Sequence, residues 1–179
     1  MDGVNDQELM ERLAAGDLSA LGPLHQTYAR PVMTLMLRLD PSMGEETAED
    51  LCQEVFLTLV DKAAGYRDEG KLKSFLYGIA VRKAKSRKRK FSWRKVLRFR
   101  GGEDAAGVSL QTARPDAQAS ARMEMDRALR SLSENHREIL MLHIVEGLPG
   151  AEVAEILGIS ENAVWTRLHR ARKALQEKL

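Results

Sequence analysis

In the stretch TAEDLCQEVFLTLVDKA, residues 47–63, the apolar side chains Ala48, Leu51, Cys52, Val55, Phe56, Leu59 and Val60 recur at intervals of three and four. That period puts one stripe on an α-helix; a strand would need alternation every second residue. Glu49, Asp50, Gln53 and Glu54 fall on the opposite side, offered to solvent or to a partner. Most of the chain can be assigned to helices in this way, so the expected class is all-α. The organisation predicted is two small helical domains joined by a flexible linker, with a helix-turn-helix in the C-terminal one.

Ahead of that stretch, NDQELMERLAAGD reads as a short helix stopped by Gly16, with Asp17 free to cap the next. The next runs to Asp40-Pro41, and Pro31 within it is expected to kink or split it. Behind it, KLKSFLYGIAVRKAKSRKRK starts with Leu72, Phe75, Leu76, Ile79 and Ala80 at helical spacing and then turns almost wholly basic. A helix that begins in a core therefore ends as a cationic prong. Gly78, in the middle of it, points to a close packing contact. SWRKVLRFRGGEDAAGVSLQTARPDAQAS has no sustained period and reads mostly as flexible linker. Boundaries follow at 1–97, 98–120 and 121–179. In the last part ARMEMDRALRSL forms one helix, Ser133 caps ENHREILMLHIVEG, Gly147 ends it, and Pro149 starts PGAEVAEIL. Gly158 makes the turn and Ser160 caps the last helix, with Ala154, Ile156, Leu157, Ile159, Val164 and Leu168 as the small core of a helix-turn-helix.

Charge narrows the function. A net +2 conceals five Lys and Arg against fourteen Asp and Glu in residues 1–70, then thirteen basic residues and no acidic one in residues 71–100. So dense a cationic run suits a polyanion, and nucleic acid is the usual one. Phe75, Tyr77, Arg82 and Lys83 with their neighbours offer the aromatic and cationic groups that hold single strands. One cysteine, Cys52, excludes an internal disulfide, and the four histidines show no metal-ligand spacing. No phosphate loop of the GxxxxGK[ST] type and no nucleophile beside a base is present, so no catalytic, cofactor or metal residue is expected. The N-terminus lacks the apolar core of a signal peptide and no apolar run reaches the ~18 residues of a span, so no membrane insertion and a cytoplasmic location are expected.

In the last helix Val164, Leu168, Ala171 and Leu175 must pack inward. Asn162, Trp165, Thr166, His169, Arg170 and Lys173 then face out, a set able to donate to base edges and phosphates in a major groove. The amides behind Ser160 add a place for one phosphate. Trp165 has three readings: a contact to a thymine methyl or sugar edge, an anchor for a protein partner, or a cover for the helix.

Three stretches, in order and over nearly the whole chain, resemble the extracytoplasmic-function (ECF) sigma factors, small bacterial transcription initiation factors. AEDLCQEVFLTLV resembles that family's AEDxxQExF hallmark and SFLYGIAVRKAK its WLYxIAxN stretch. LSENHREILMLHIVEGLPGAEVAEILGISENAVWTRLHRARKAL resembles its closing region. The departures are Phe75 for tryptophan, Arg82 for asparagine, Asn162-Ala163 for Gly-Thr, and Trp165 for a basic residue. The resemblance implies that the first domain docks on the clamp coiled coil of core RNA polymerase through Asp50, Gln53 and Glu54. It would melt the minus-10 promoter element with Phe75, Tyr77, Arg82, Lys83, Lys85, Arg87, Lys88, Arg89 and Lys90. The second domain would read the minus-35 element with the six outward residues of the last helix, and the linker would thread toward the active site and RNA exit. An anti-sigma factor is implied as a further partner, and no small-molecule substrate. The alternative is a stand-alone helix-turn-helix regulator that binds duplex DNA without polymerase.

Overall fold

The computed structural model of the chain describes residues 5–67, 70–98 and 117–179, and every regular element among them is helical. The chain divides into two compact units, residues 1–89 and 90–179.

In the first unit, α1 (Asp6–Ala14) is capped by Asn5 and buries Leu9, Met10 and Leu13. Asp17 caps a 3-10 turn, Leu18–Ala20, by accepting from the Ser19 amide, and that turn leads into α2 (Leu21–Leu39). Pro31 does not split α2: the helix continues through it to a cap at Asp40. The Tyr28 hydroxyl donates to the Asp6 carboxylate, tying α2 to α1. Helix α3 (Glu45–Lys62) buries Ala48, Leu51, Cys52, Val55, Phe56 and Leu59, the stripe its period demands, while Val60 is half-buried at its edge. Against α2, the Phe56 ring meets His25 at 4.7 Å between centroids.

Helix α4 (Leu72–Arg98) contributes Leu72, Leu76, Tyr77, Ile79, Ala80, Val81 and Ala84 to the core, and Gly78 is buried with them. It is longer than the apolar pattern suggests. Residues 92–98, read from the sequence as the start of a linker, belong to it, since no proline or glycine interrupts the chain before Gly101. The expected linker, 98–120, otherwise lies mostly outside the described residues; its last part is the beginning of α5.

The second unit holds α5 (Ala117–Ser131), α6 (Glu134–Leu140), α7 (Gly150–Leu157) and α8 (Glu161–Gln176). Ser133 caps α6 by accepting from the His136 amide, and α6 then loosens into the π-helical turn Met141–Val145. A single α-helix to Gly147 was the expectation; the wider turn leaves Ile144 and Val145 exposed. Arg137 is buried and donates to the carbonyls of Leu129 at 3.0 Å and of Arg130 and Leu132 at 2.8 Å, satisfying the open end of α5. Between α7 and α8, Gly158 takes a left-handed φ of +66°, where a Cβ is disfavoured, and Ser160 caps α8 through the Ala163 amide at 3.2 Å. Ala154, Ile156, Val164 and Leu168 are buried as expected, Leu157 and Ile159 only half-buried, and Val153 completes the core between the two helices.

Candidate polymerase and nucleic-acid interfaces

On α3, Asp50, Gln53 and Glu54 are all exposed, and with them Leu57, which is 63% exposed one turn further along the same face. Leu57 thus adds one exposed apolar side chain to an otherwise polar outer face of α3. The sequence offered a signal for it: Leu57 falls outside the three-and-four stripe that buries its neighbours. Cys52, on the buried side, has its thiol pushed up to about 11 by burial, so it is an inert core residue.

The cations of α4 separate into two groups. The Lys83 ammonium meets the Glu54 carboxylate of α3 at 3.0 Å, and one turn later the Arg87 guanidinium meets Asp40 at 3.2 Å. Asp40 is buried, and its other oxygen accepts from the Ser42 amide at 3.1 Å and hydroxyl at 2.5 Å. Lys83 and Arg87 therefore hold α4 to the rest of the unit. Arg82, Lys88, Arg89 and Lys90 are exposed and Lys85 is half-buried, so most of the positive field points outward.

The aromatic residues assigned to strand binding part ways. Phe75 is half-buried, its ring tilted against Tyr66 at 5.0 Å. Tyr77 is fully buried, with the Lys73 ammonium 5.3 Å from its ring centroid. A ring with no exposed face cannot stack on a base, so Tyr77 is corrected from a DNA-binding to a core residue. Its position foretold this: Tyr77, Val81 and Ala84 continue the buried set at intervals of four and three. Phe91, on the cationic stretch and 59% exposed, is the aromatic that sequence reasoning passed over.

On α8, Asn162, Thr166, His169, Arg170 and Lys173 are exposed, while Val164, Leu168 and Ala171 are buried and Leu175 half-buried. The Thr166 hydroxyl donates to the Asn162 carbonyl at 3.0 Å, so toward a ligand it is an acceptor. Trp165 is 46% exposed. Its indole lies over Gly150, the first residue of α7, and meets the His143 ring edge-on at 5.2 Å. His143 Nδ1 lies 2.8 Å from the Leu148 carbonyl, which only accepts, so Nδ1 carries the proton. No helix among the described residues is long and apolar enough to cross a membrane.

Residues 24–94 match the family model Sigma-70 region 2, and residues 122–175 match Sigma-70, region 4. The chain is 30% identical to the ECF RNA polymerase sigma factor SigD of Mycobacterium tuberculosis, covering all of this chain and 86% of that one. It is 31% identical to the RNA polymerase sigma factor CarQ of Myxococcus xanthus, over 95% of each. Among solved structures it resembles the sigma factor RpoE of Bartonella quintana, crystallised with the anti-sigma factor NepR (TM-score 0.66, 26% identity, 86% of this chain and 92% of that one). It shares its fold with CnrH, solved with the cytosolic domain of CnrY (TM-score 0.65, 23% identity, 96% and 95%). With both regions present in order and relatives matched along their length, the chain belongs to the ECF RNA polymerase sigma factors.

Proposed function

We infer that the chain lends promoter specificity to core RNA polymerase by dividing three tasks among three helices. The α3 face of Asp50, Gln53, Glu54 and Leu57 docks on polymerase. The outward cations of α4, Arg82, Lys88, Arg89 and Lys90, hold the minus-10 strands with Phe75 and Phe91. The outward face of α8, Asn162, Thr166, His169, Arg170 and Lys173, reads the minus-35 duplex. Residues 1–97 and 121–179 serve as the two functional domains.

One observation carries the reading: in the first unit an exposed carboxylate face and an exposed cationic face occupy neighbouring helices, α3 and α4, joined through Glu54 and Lys83. A stand-alone DNA-binding regulator has no use for a region 2 unit, and that alternative is not favoured. No bond chemistry is assigned to the chain, and its work on polymerase places it in the cytoplasm. An anti-sigma factor is proposed as a partner on the likeness to RpoE of Bartonella quintana, which was crystallised with one.

The test is transcription by core polymerase on fragmented genomic DNA, with and without the chain. Discrete start sites that share two upstream elements and depend on the chain are expected. Start sites that do not depend on it, or a chain that footprints duplex DNA and fails to bind core enzyme, would overturn the reading.

A further inference from the structure

Trp165 stands on the face of α8 turned toward DNA, yet more than half of its surface is taken up within its own domain. A Cβ placed on Gly150 would lie 2.7 Å from Trp165 Cζ2 and 3.3 Å from Cε2, so the indole rests directly on the backbone of the first residue of α7. The same Cβ would come within 3.2 Å of Glu161 Oε1. From the π-helical turn, His143 meets the indole at right angles, held there by its bond to the Leu148 carbonyl. Three segments thus meet at one ring: the turn after α6, the start of α7, and α8.

That junction bears on recognition. In a helix-turn-helix the first helix crosses the sugar-phosphate backbone and the second enters the major groove. The angle between them decides which side chains of the second helix reach base edges. A rigid ring wedged against the first residue of α7 sets that angle, because packed interfaces do not deform continuously. Residues 150 and 165 are matched in size: only glycine leaves space for the indole at 150, and only a large flat side chain at 165 covers Gly150.

We propose that Trp165 is a positioning residue for minus-35 specificity. It fixes the pose of α8 by packing on Gly150 and His143, and base reading falls to Asn162, Thr166, His169 and Arg170. This rests on the reading of α8 as the minus-35 helix. Trp165 is thereby an internal strut of the reading head, and substituting its neighbours changes what α8 reads without touching DNA.

The experiment uses the full chain bound to core polymerase and a promoter series in which each minus-35 base pair is changed in turn, with a parallel set carrying uracil for each thymine. Variants are Trp165→Ala, Trp165→Phe, Gly150→Ala and the double variant with alanine at both positions, each checked by helical circular dichroism. Trp165→Ala is expected to lower discrimination roughly three- to tenfold at several base pairs together, including those read by Arg170. Gly150→Ala should reproduce that loss while Trp165 is present and add nothing once residue 165 is alanine. Trp165→Phe, which keeps a ring on Gly150, should fall between, and that comparison with Gly150→Ala decides the matter should Trp165→Ala fail to fold. A loss confined to one base pair or one thymine methyl would overturn the proposal in favour of direct contact. So would wild-type discrimination in Gly150→Ala. A wild-type protein that ignores every minus-35 change while still requiring the minus-10 element would overturn it at its premise, the reading of α8.

Discussion

Removing Arg87 should cost the first unit more than removing any other cation of α4, and the reason is its partner. The Asp40 side chain is 8% exposed and depends on Arg87 and on Ser42 for its hydrogen bonds. Arg87→Met leaves that carboxylate out of water with only Ser42 to satisfy it. A fully buried pair broken in this way costs about 3–5 kcal/mol, but here Ser42 still serves one oxygen, so about 2 kcal/mol is expected. Asp40→Asn should cost less, about 1 kcal/mol, because Arg87 is 28% exposed and its guanidinium can turn to water. The double variant holds no buried unpaired charge, so its cost should fall below the sum of the singles. Exposed Arg89, replaced by methionine, should change stability by less than about 0.5 kcal/mol. Urea unfolding followed by circular dichroism reads all four; with a slope of about 1 kcal/mol per molar for a unit this small, Arg87→Met should lower the midpoint by about 2 M. Equal costs for Arg87→Met and Arg89→Met, or additive costs in the double variant, would refute the claim that Arg87 is an anchor.

The other expectations concern α3, Cys52 and the division of labour on DNA. Glu54→Gln should weaken binding to core polymerase by tenfold or more in a competition assay, roughly a 1.4 kcal/mol loss, while an exposed ion pair to Lys83 makes the stability change small, about 0–1 kcal/mol. Cys52, raised to about 11 from an ordinary 9.0, stays protonated in the folded chain when the unfolded chain ionises. The unfolded state is then favoured as pH rises, so stability should decline from about pH 9 toward 11, with a shallower decline in Cys52→Ala. Cys52 should also resist alkylation at pH 8 until urea unfolds the chain. Neutralising Lys88, Arg89 and Lys90 should weaken binding at all promoters and reduce its salt dependence by about one unit of log–log slope per residue, whereas Arg170→Ala should cost about 1–3 kcal/mol at a cognate minus-35 element alone. Salt titrations on cognate and scrambled promoters separate the two.

What could be read from the sequence was whatever is local along the chain. The α3 stripe, the caps at Asp17, Ser133 and Ser160 and the turn at Gly158 depend on side chains a few residues apart, so spacing alone revealed them. Tyr77 was misassigned because a motif of aromatics beside cations outweighed its place in the buried period. Asp40 and Arg87 are far apart in sequence, as are Glu54 and Lys83, and no pattern within one helix announces a partner on another. The fit of Trp165 to Gly150 has the same character: the tryptophan stood out within α8, but nothing in that helix named its partner, and only the crossing of α7 and α8 makes one explain the other. The π-helical turn was illegible for a different reason, since residues 141–145 hold no glycine or proline and no local breaker marks the change of pitch.

Arg137 has a bearing on how the second unit responds to its surroundings. The corner from α5 to α6 is fastened by a guanidinium on three carbonyls, none of which gains or loses a proton at any pH a cell meets. Acidification therefore leaves this fastening in place, and a lysine there would exchange a planar fork for a single ammonium unable to reach three carbonyls in the same geometry. The three bonds by which Arg137 fastens the end of α5 are thus themselves independent of proton concentration.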